Sequence, residues 1–126
     1  MTTEVLIISG TFAPPFGMRL YPYSGLVGFF EEAGYRVHME SIRLFGIGQV
    51  EKSIDHIRRK YFAESNSDYI LVGHSQGGIL ALSLASEHPR RVQSVEIFAS
   101  PVYGTMLASL GMLSPALRTM NFRSLW

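Results

Sequence analysis

An α/β fold is what the sequence predicts, with an open, mostly parallel sheet of about four strands and helices on both faces. Three observations point to it. The run Val5–Ser9 is continuously apolar up to its last residue, as in a strand buried on both faces of a parallel sheet. From there to Ala99, strand-like and helix-like stretches alternate across short turns, for which right-handed crossovers in a parallel sheet are the simplest solution. Where one strand passes into a helix, the chain reads Gly73-His74-Ser75-Gln76-Gly77-Gly78.

Each element has its own signal. Val5–Ser9 is expected to be a central strand, and Thr11–Gly17, with Pro14-Pro15, a loop. A helix is expected from about Pro22, with Leu26, Val27, Phe29, Phe30 and Ala33 on one broad apolar face and Gly34 as its left-handed cap. Tyr35–Ile42 alternates apolar Tyr35, Val37 and Met39 with polar Arg36, His38 and Glu40, so a less deeply buried strand is expected. Ile47, Val50, Ile54, Ile57 and Tyr61 form one helical stripe, closed by a polar turn Ser65–Asp68. Strand Tyr69–Val72, helix Gln76–Glu87 stopped before Pro89, and strand Val92–Ala99 complete the pattern. Beyond Ser100-Pro101, residues Met106, Leu107, Leu110, Leu113 and Leu117 recur at helical spacing, but Gly111 and Pro115 favour short or bent helices. That stretch reads either as a mobile cover or as a packing helix.

Composition narrows the function. The 126 residues are 47% hydrophobic and 17% charged, enough for one domain, 1–126, with a buried core. Eleven basic against ten acidic residues give a net charge of +1, and Arg58-Arg59-Lys60 shares its helix with Glu51, Asp55 and Glu64, so no nucleic acid partner is expected. There is no cysteine, hence no thiolate metal site or disulfide, and His38, His56, His74 and His88 lack helical pairing, so no metal is expected. The first strand enters Gly10-Thr11-Phe12-Ala13 without dinucleotide-binding spacing, and no cofactor is expected. Met1-Thr2-Thr3-Glu4 carries no basic residue and Val5–Ile8 is short, which favours the cytoplasm. Met106–Leu117 falls well short of the roughly 20 apolar residues of a transmembrane segment.

A Gly-x-Ser-x-Gly at a strand-to-helix junction has the pattern of a nucleophile elbow. The turn strains the serine backbone and holds its hydroxyl at the top of the sheet, while Gly73 and Gly77 allow strand, helix and substrate to approach. Ser75 is therefore the candidate catalytic nucleophile, the bland alternative being an ordinary glycine-rich turn. Phe12, Phe16, Met18, Tyr21 and Tyr23 lie near the first loop, either as an acyl-contacting wall or as simple packing.

Together with Ile8-Ser9-Gly10-Thr11-Phe12 and Ala99-Ser100-Pro101-Val102-Tyr103-Gly104-Thr105, this elbow resembles the α/β-hydrolase superfamily, in particular the amino-terminal part of bacterial and fungal triacylglycerol lipases and esterases. The resemblance spans nearly the whole chain. Ser9 stands where the family usually has histidine or proline before the glycine. It implies a serine hydrolase that cleaves carboxylic esters, small-molecule or lipid, through an acyl-enzyme on Ser75. It further implies an oxyanion hole from the backbone N–H of Gln76 and of Thr11, where Thr11 is otherwise a turn residue.

The resemblance also places the acid and then the histidine of a triad after the nucleophile. Downstream of Ser75 the chain offers only Glu87, His88 and Glu96 as candidates, and all are expected away from the carboxyl edge of the sheet. Asp55, His56, Asp68 and His38 are likewise misplaced, and His74, adjacent to Ser75, is expected to point elsewhere. The triad acid and histidine are therefore expected outside this chain, an incomplete hydrolase fold with 101–126 as the start of a cap-like region, an amino-terminal portion or a shortened product. Two other functions remain open: a non-catalytic binding or homo-oligomerising module acting through an uncovered sheet edge, and acyl-thioesterase or acyltransferase chemistry at the same elbow.

Overall fold

The computed structural model describes residues 2–10, 23–42, 49–98 and 100. Four parallel strands, β1 (Thr3–Ser9), β2 (Val37–Ser41), β3 (Asp68–His74) and β4 (Val92–Phe98), form one sheet in the order β2-β1-β3-β4. Between them run the helices α1 (Ser24–Glu32), α2 (Gln49–Ile57) and α3 (Gln76–Glu87). The alternating open parallel sheet expected from the sequence is what the chain forms.

The position of β1 explains its composition. With β2 on one side and β3 on the other, and helices over both faces, Val5, Leu6, Ile7 and Ile8 have no solvent-facing side and are fully buried. Val5, Ile7 and Val72 meet Leu26, Val27 and Phe30 of α1 on one face. On the other, Leu6, Ile8 and Leu71 pack with Ile57 of α2 and Leu80, Ala81 and Leu84 of α3. The strand Val37–Ser41, at the sheet edge, is only half-buried throughout, as its alternating pattern anticipates.

Three details differ from the sequence expectation. In α1, Phe29 is 64% exposed and Ala33 is exposed, because the packed arc is set by Leu26, Val27 and Phe30 and both fall outside it. Gly34 does cap the helix, at φ 88°, with its N–H donating to the Glu31 carbonyl. Asp68 belongs to β3 rather than to the turn, opposite Thr3, and the strand continues past Val72 to His74. Finally, the helix carrying Ile54, Ile57 and Tyr61 is not α throughout: Arg58–Ala63 is a π-helical turn. The wider turn brings both Tyr61 and Phe62 into the core, which a regular helical stripe through Tyr61 does not foresee. Arg91 ends this segment by donating to the carbonyls of Tyr61, Phe62 and Ser67.

Beneath α2 a carboxylate is held among donors. Burial pushes the Glu40 carboxyl up, but hydrogen bonds from Lys60 Nζ at 2.8 Å and Tyr61 Oη at 2.7 Å outweigh it, and its pKa lies below the ordinary value. Burial, and then Glu40, raise the Tyr61 phenol in turn. A carboxyl with a depressed folded-state pKa stabilises the fold fully above its unfolded value, and that contribution is lost as pH falls through the folded value. Urea unfolding followed from pH 7 downward is therefore expected to show stability falling below about pH 4.3, with a shallower fall in Glu40→Gln.

Candidate active site

Parallel strands bring all their carboxyl ends to one edge, and the register aligns Ser9 with Ser41 and His74, and His74 with Phe98. Open α/β sheets carry their ligand chemistry at that edge. The residue that leaves β3 there is Ser75, at φ 56° and ψ −126°, the one non-glycine residue of positive φ among those described. Such a conformation costs about 1–3 kcal/mol and persists only where the surroundings impose it.

The surroundings are three backbones in contact. A Cβ on Gly73 would collide with the Cα of Gly78, and one on Gly77 would run into the carbonyl oxygen of Ile8 in β1. A Cβ on Gly10 would sit 2.7 Å from the Gln76 nitrogen and 3.1 Å from Ser75 Oγ. Main-chain hydrogen bonds lock the turn: Ser75 N–H donates to Phe98 at 2.9 Å, Gly10 N–H to His74 at 2.8 Å, and Gly78 N–H to the Ser75 carbonyl at 3.1 Å. Ser75 stands at the cap position of α3 yet makes no capping hydrogen bond through its hydroxyl. Gln76, the first residue of α3, is buried. Its carboxamide oxygen has no hydrogen-bond partner among the described residues.

Gly73 and Gly77, singled out from the sequence, thus lie at the contacts of β3 and β1 with α3. Gly10 and Gly78 share that role without having been singled out, although each is the glycine that ends or extends a motif. Thr11, the other expected oxyanion donor, and Phe12, Phe16, Met18 and Tyr21 lie outside the described residues, as do Ala99 and the segment 101–126.

The other ionisable candidates are placed away from Ser75. His88 and Glu87 end α3 at the opposite edge of the sheet. His88 stacks on Phe62 with ring centroids 4.4 Å apart, and Glu87 accepts from Arg58 at 2.9 and 2.5 Å. His38 Nε2 lies 2.5 Å from Glu4 at the start of β1, His56 is paired with Glu40, and Glu96 lies within β4. His74 turns its ring to the α1 face, where Nδ1 is 2.8 Å from Tyr23 Oη. Among the described residues none forms a hydrogen bond with the Ser75 hydroxyl. No group of three or more metal-binding side chains occurs among them either, and none of their helices is long and apolar enough to cross a membrane.

A family model described as serine aminopeptidase, S33, matches residues 25–124. The chain belongs to this α/β-hydrolase family. No curated protein sequence matches it. Among solved structures it is similar to MGS-MChE2, an α/β-hydrolase enzyme from the metagenome of lagoon sediments at Mar Chica, Morocco, with TM-score 0.64 and 19% identity over 97% of this chain and 55% of that one. It is also similar to α/β-hydrolase domain-containing protein 10 from mouse, with TM-score 0.58 and 19% identity over 92% of this chain and 47% of the other. A pyrethroid hydrolase from Sphingobium faniae JZ-2 superposes with TM-score 0.53 and 22% identity over 79% of this chain and 41% of its own. The chain spans about half the length of these structures or less, and the likeness is one of fold.

The packing around Ser75 makes a prediction that separates two kinds of glycine. Gly73→Ala and Gly77→Ala, which meet backbone, are each expected to destabilise by about 1–3 kcal/mol. Gly28→Ala, in α1 with nothing within 4 Å of its Cβ position, is expected to stabilise by about 0.5–1 kcal/mol. Urea-denaturation midpoints of the three variants check this.

Proposed function

We propose that this chain is the nucleophile-bearing part of a serine hydrolase of lipase/esterase type, acting on carboxylic esters. The observation that carries the reading is the strained, non-glycine Ser75 between β3 and α3, its hydroxyl uncommitted to helix capping. Its family, described as a serine aminopeptidase, supports hydrolysis as the reaction class, and the name of the pyrethroid hydrolase of similar fold agrees with it.

In this mechanism Ser75 Oγ attacks the ester carbonyl carbon while its proton passes to a base. The carbonyl electron pair moves onto oxygen, and the resulting oxyanion accepts hydrogen bonds from the backbone N–H groups of Gln76 and Thr11. Collapse of the intermediate expels the alkoxide, which takes up the proton, and leaves the acyl group on Ser75. Water then attacks that ester by the same route in reverse, releasing the acid and the serine. Donors aimed at the developing oxyanion are each worth about 3 kcal/mol of transition-state stabilisation. The histidine that accepts the serine proton, and the acid that orients it, are supplied from outside the described residues, since the described histidines are held elsewhere.

A second reading has one observation in its favour. The edge strand β4 exposes Ile97 and Phe98 by 39% and 50%, so the chain offers an apolar edge to a partner or a second copy. Hydrolysis of a short p-nitrophenyl ester, run beside the matching thioester with light scattering on the same sample, tests both. With the histidine and acid supplied alongside the chain, the first reading expects ester turnover that drops by at least about 10³-fold in Ser75→Ala. Under that condition turnover unchanged by the substitution rules out the nucleophile, an inactive stable oligomer favours the binding module, and preference for the thioester redirects the substrate class.

A further inference from the structure

Two pairs of polar side chains stand at the carboxyl edge of the sheet beside the elbow. Ser41 Oγ lies 2.8 Å from Ser9 Oγ, and Tyr23 Oη lies 2.8 Å from His74 Nδ1 with the two rings edge-on. The two pairs stand side by side, since Ser9 and His74 are register partners on neighbouring strands. Ser41, Ser9 and His74 are the last residues of β2, β1 and β3, aligned in register, while Tyr23 sits at the cap of α1 and makes no capping bond there. One pair ties the ends of β1 and β2, and the other ties the end of β3 to the start of α1.

The residues just beyond those strand ends give the pairs their meaning. His74 leads directly into Ser75, and Ser9 into Gly10 and Thr11. The His74 carbonyl accepts the Gly10 N–H at 2.8 Å, and Gly10 itself lies against Ser75 Oγ and the Gln76 nitrogen. A small rotation at the end of β3 would alter the placement of the serine oxygen relative to the loop after β1, the two parts that must converge on one carbonyl group. On the α1 face Val72 is the last residue of β3 in the apolar cluster, Tyr23 packs against that cluster, and the imidazole two residues beyond Val72 meets the Tyr23 phenol at its margin.

We infer that Tyr23 and His74 form a positioning couple for the elbow, fixing Ser75 relative to the Gly10 turn, an assignment that rests on Ser75 being the nucleophile. His74 is then an anchor rather than a base: Nδ1 is committed to Tyr23 on the α1 face, and the residue acts on the reaction only through the backbone it shares with Ser75. The couple touches no reacting atom.

Tyr23→Phe removes one hydroxyl and keeps the ring, so it tests the couple with little disturbance of packing. Amide hydrogen exchange at Gly10 and Ser75 is expected to quicken about tenfold, the loss of roughly one hydrogen bond's worth of protection, while Leu6 and Leu71 in the strand interiors stay unchanged. In ester hydrolysis with the histidine and acid supplied alongside the chain, kcat is expected to fall about tenfold with KM unchanged, the signature of misplacement in the transition state. His74→Asn, which restores a polar atom near the Nδ1 position, is expected to keep more protection at Gly10 than His74→Ala. Unchanged exchange in Tyr23→Phe overturns the positioning role and leaves the Ser75 assignment standing. Faster exchange combined with ester turnover that survives Ser75→Ala supports the anchor and overturns the nucleophile instead.

Discussion

Three main chains meet here at distances that only hydrogen atoms allow, and the rest of the site is arranged around that contact. α3 can leave β3 in a single residue because Gly73, Gly77 and Gly78 present no Cβ to one another, to Ile8 or to Ser100. Gly10 brings the end of β1 to the same point. The consequence is a serine forced to φ 56°, a conformation with an energetic penalty for any residue bearing a side chain. Hydrogen bonds from Ser75 to Phe98, from Gly10 to His74 and from Gly78 back to Ser75 distribute that strain over β1, β3, β4 and α3. No single element could impose it.

The sheet supports the contact by burying its centre on both faces. Helix α1 on one side and α2 with α3 on the other enclose Val5–Ile8, so the strand end that carries Gly10 is fixed by apolar packing on each face. The charged groups are kept to the margins. Glu4 takes hydrogen bonds from His38 and Ser67, Glu40 from Lys60 and Tyr61, and Glu87 from Arg58 and Ser83. Among the described residues these clusters lie on the helical flanks and at the amino edge, and the last residues of β1, β2 and β3 are two serines and one histidine.

Much of this was legible in the residues, because the strongest signals are periodic or steric. A continuous apolar run identifies a doubly covered strand, and β1 lies at the centre of the sheet; Gly34 ends α1 as a left-handed cap, and α3 spans Gln76–Glu87 as its pattern indicates. What escaped the sequence has a common cause: it depends on which neighbour a side chain meets. Phe29 belongs to an apolar helix face but falls outside the arc that β1 and β3 cover, and Phe62 is buried only because the π-helical turn rotates it inward. Tyr23 and His74 stand 51 residues apart and pair only because α1 starts over the end of β3. Ser75 could be singled out because its elbow is local in sequence. No base could be named for it, because each of the four histidines is held by another partner.

The most direct test of the account is a crystal structure of the protein after treatment with a p-nitrophenyl alkylphosphonate, whose tetrahedral adduct mimics the intermediate of acyl transfer. The account predicts phosphorus bonded to Ser75 Oγ, with the phosphoryl oxygen about 2.7–3.1 Å from the Gln76 nitrogen and Ser75 still at positive φ. An adduct on another residue, or a phosphoryl oxygen turned away from the Gln76 amide, would contradict it.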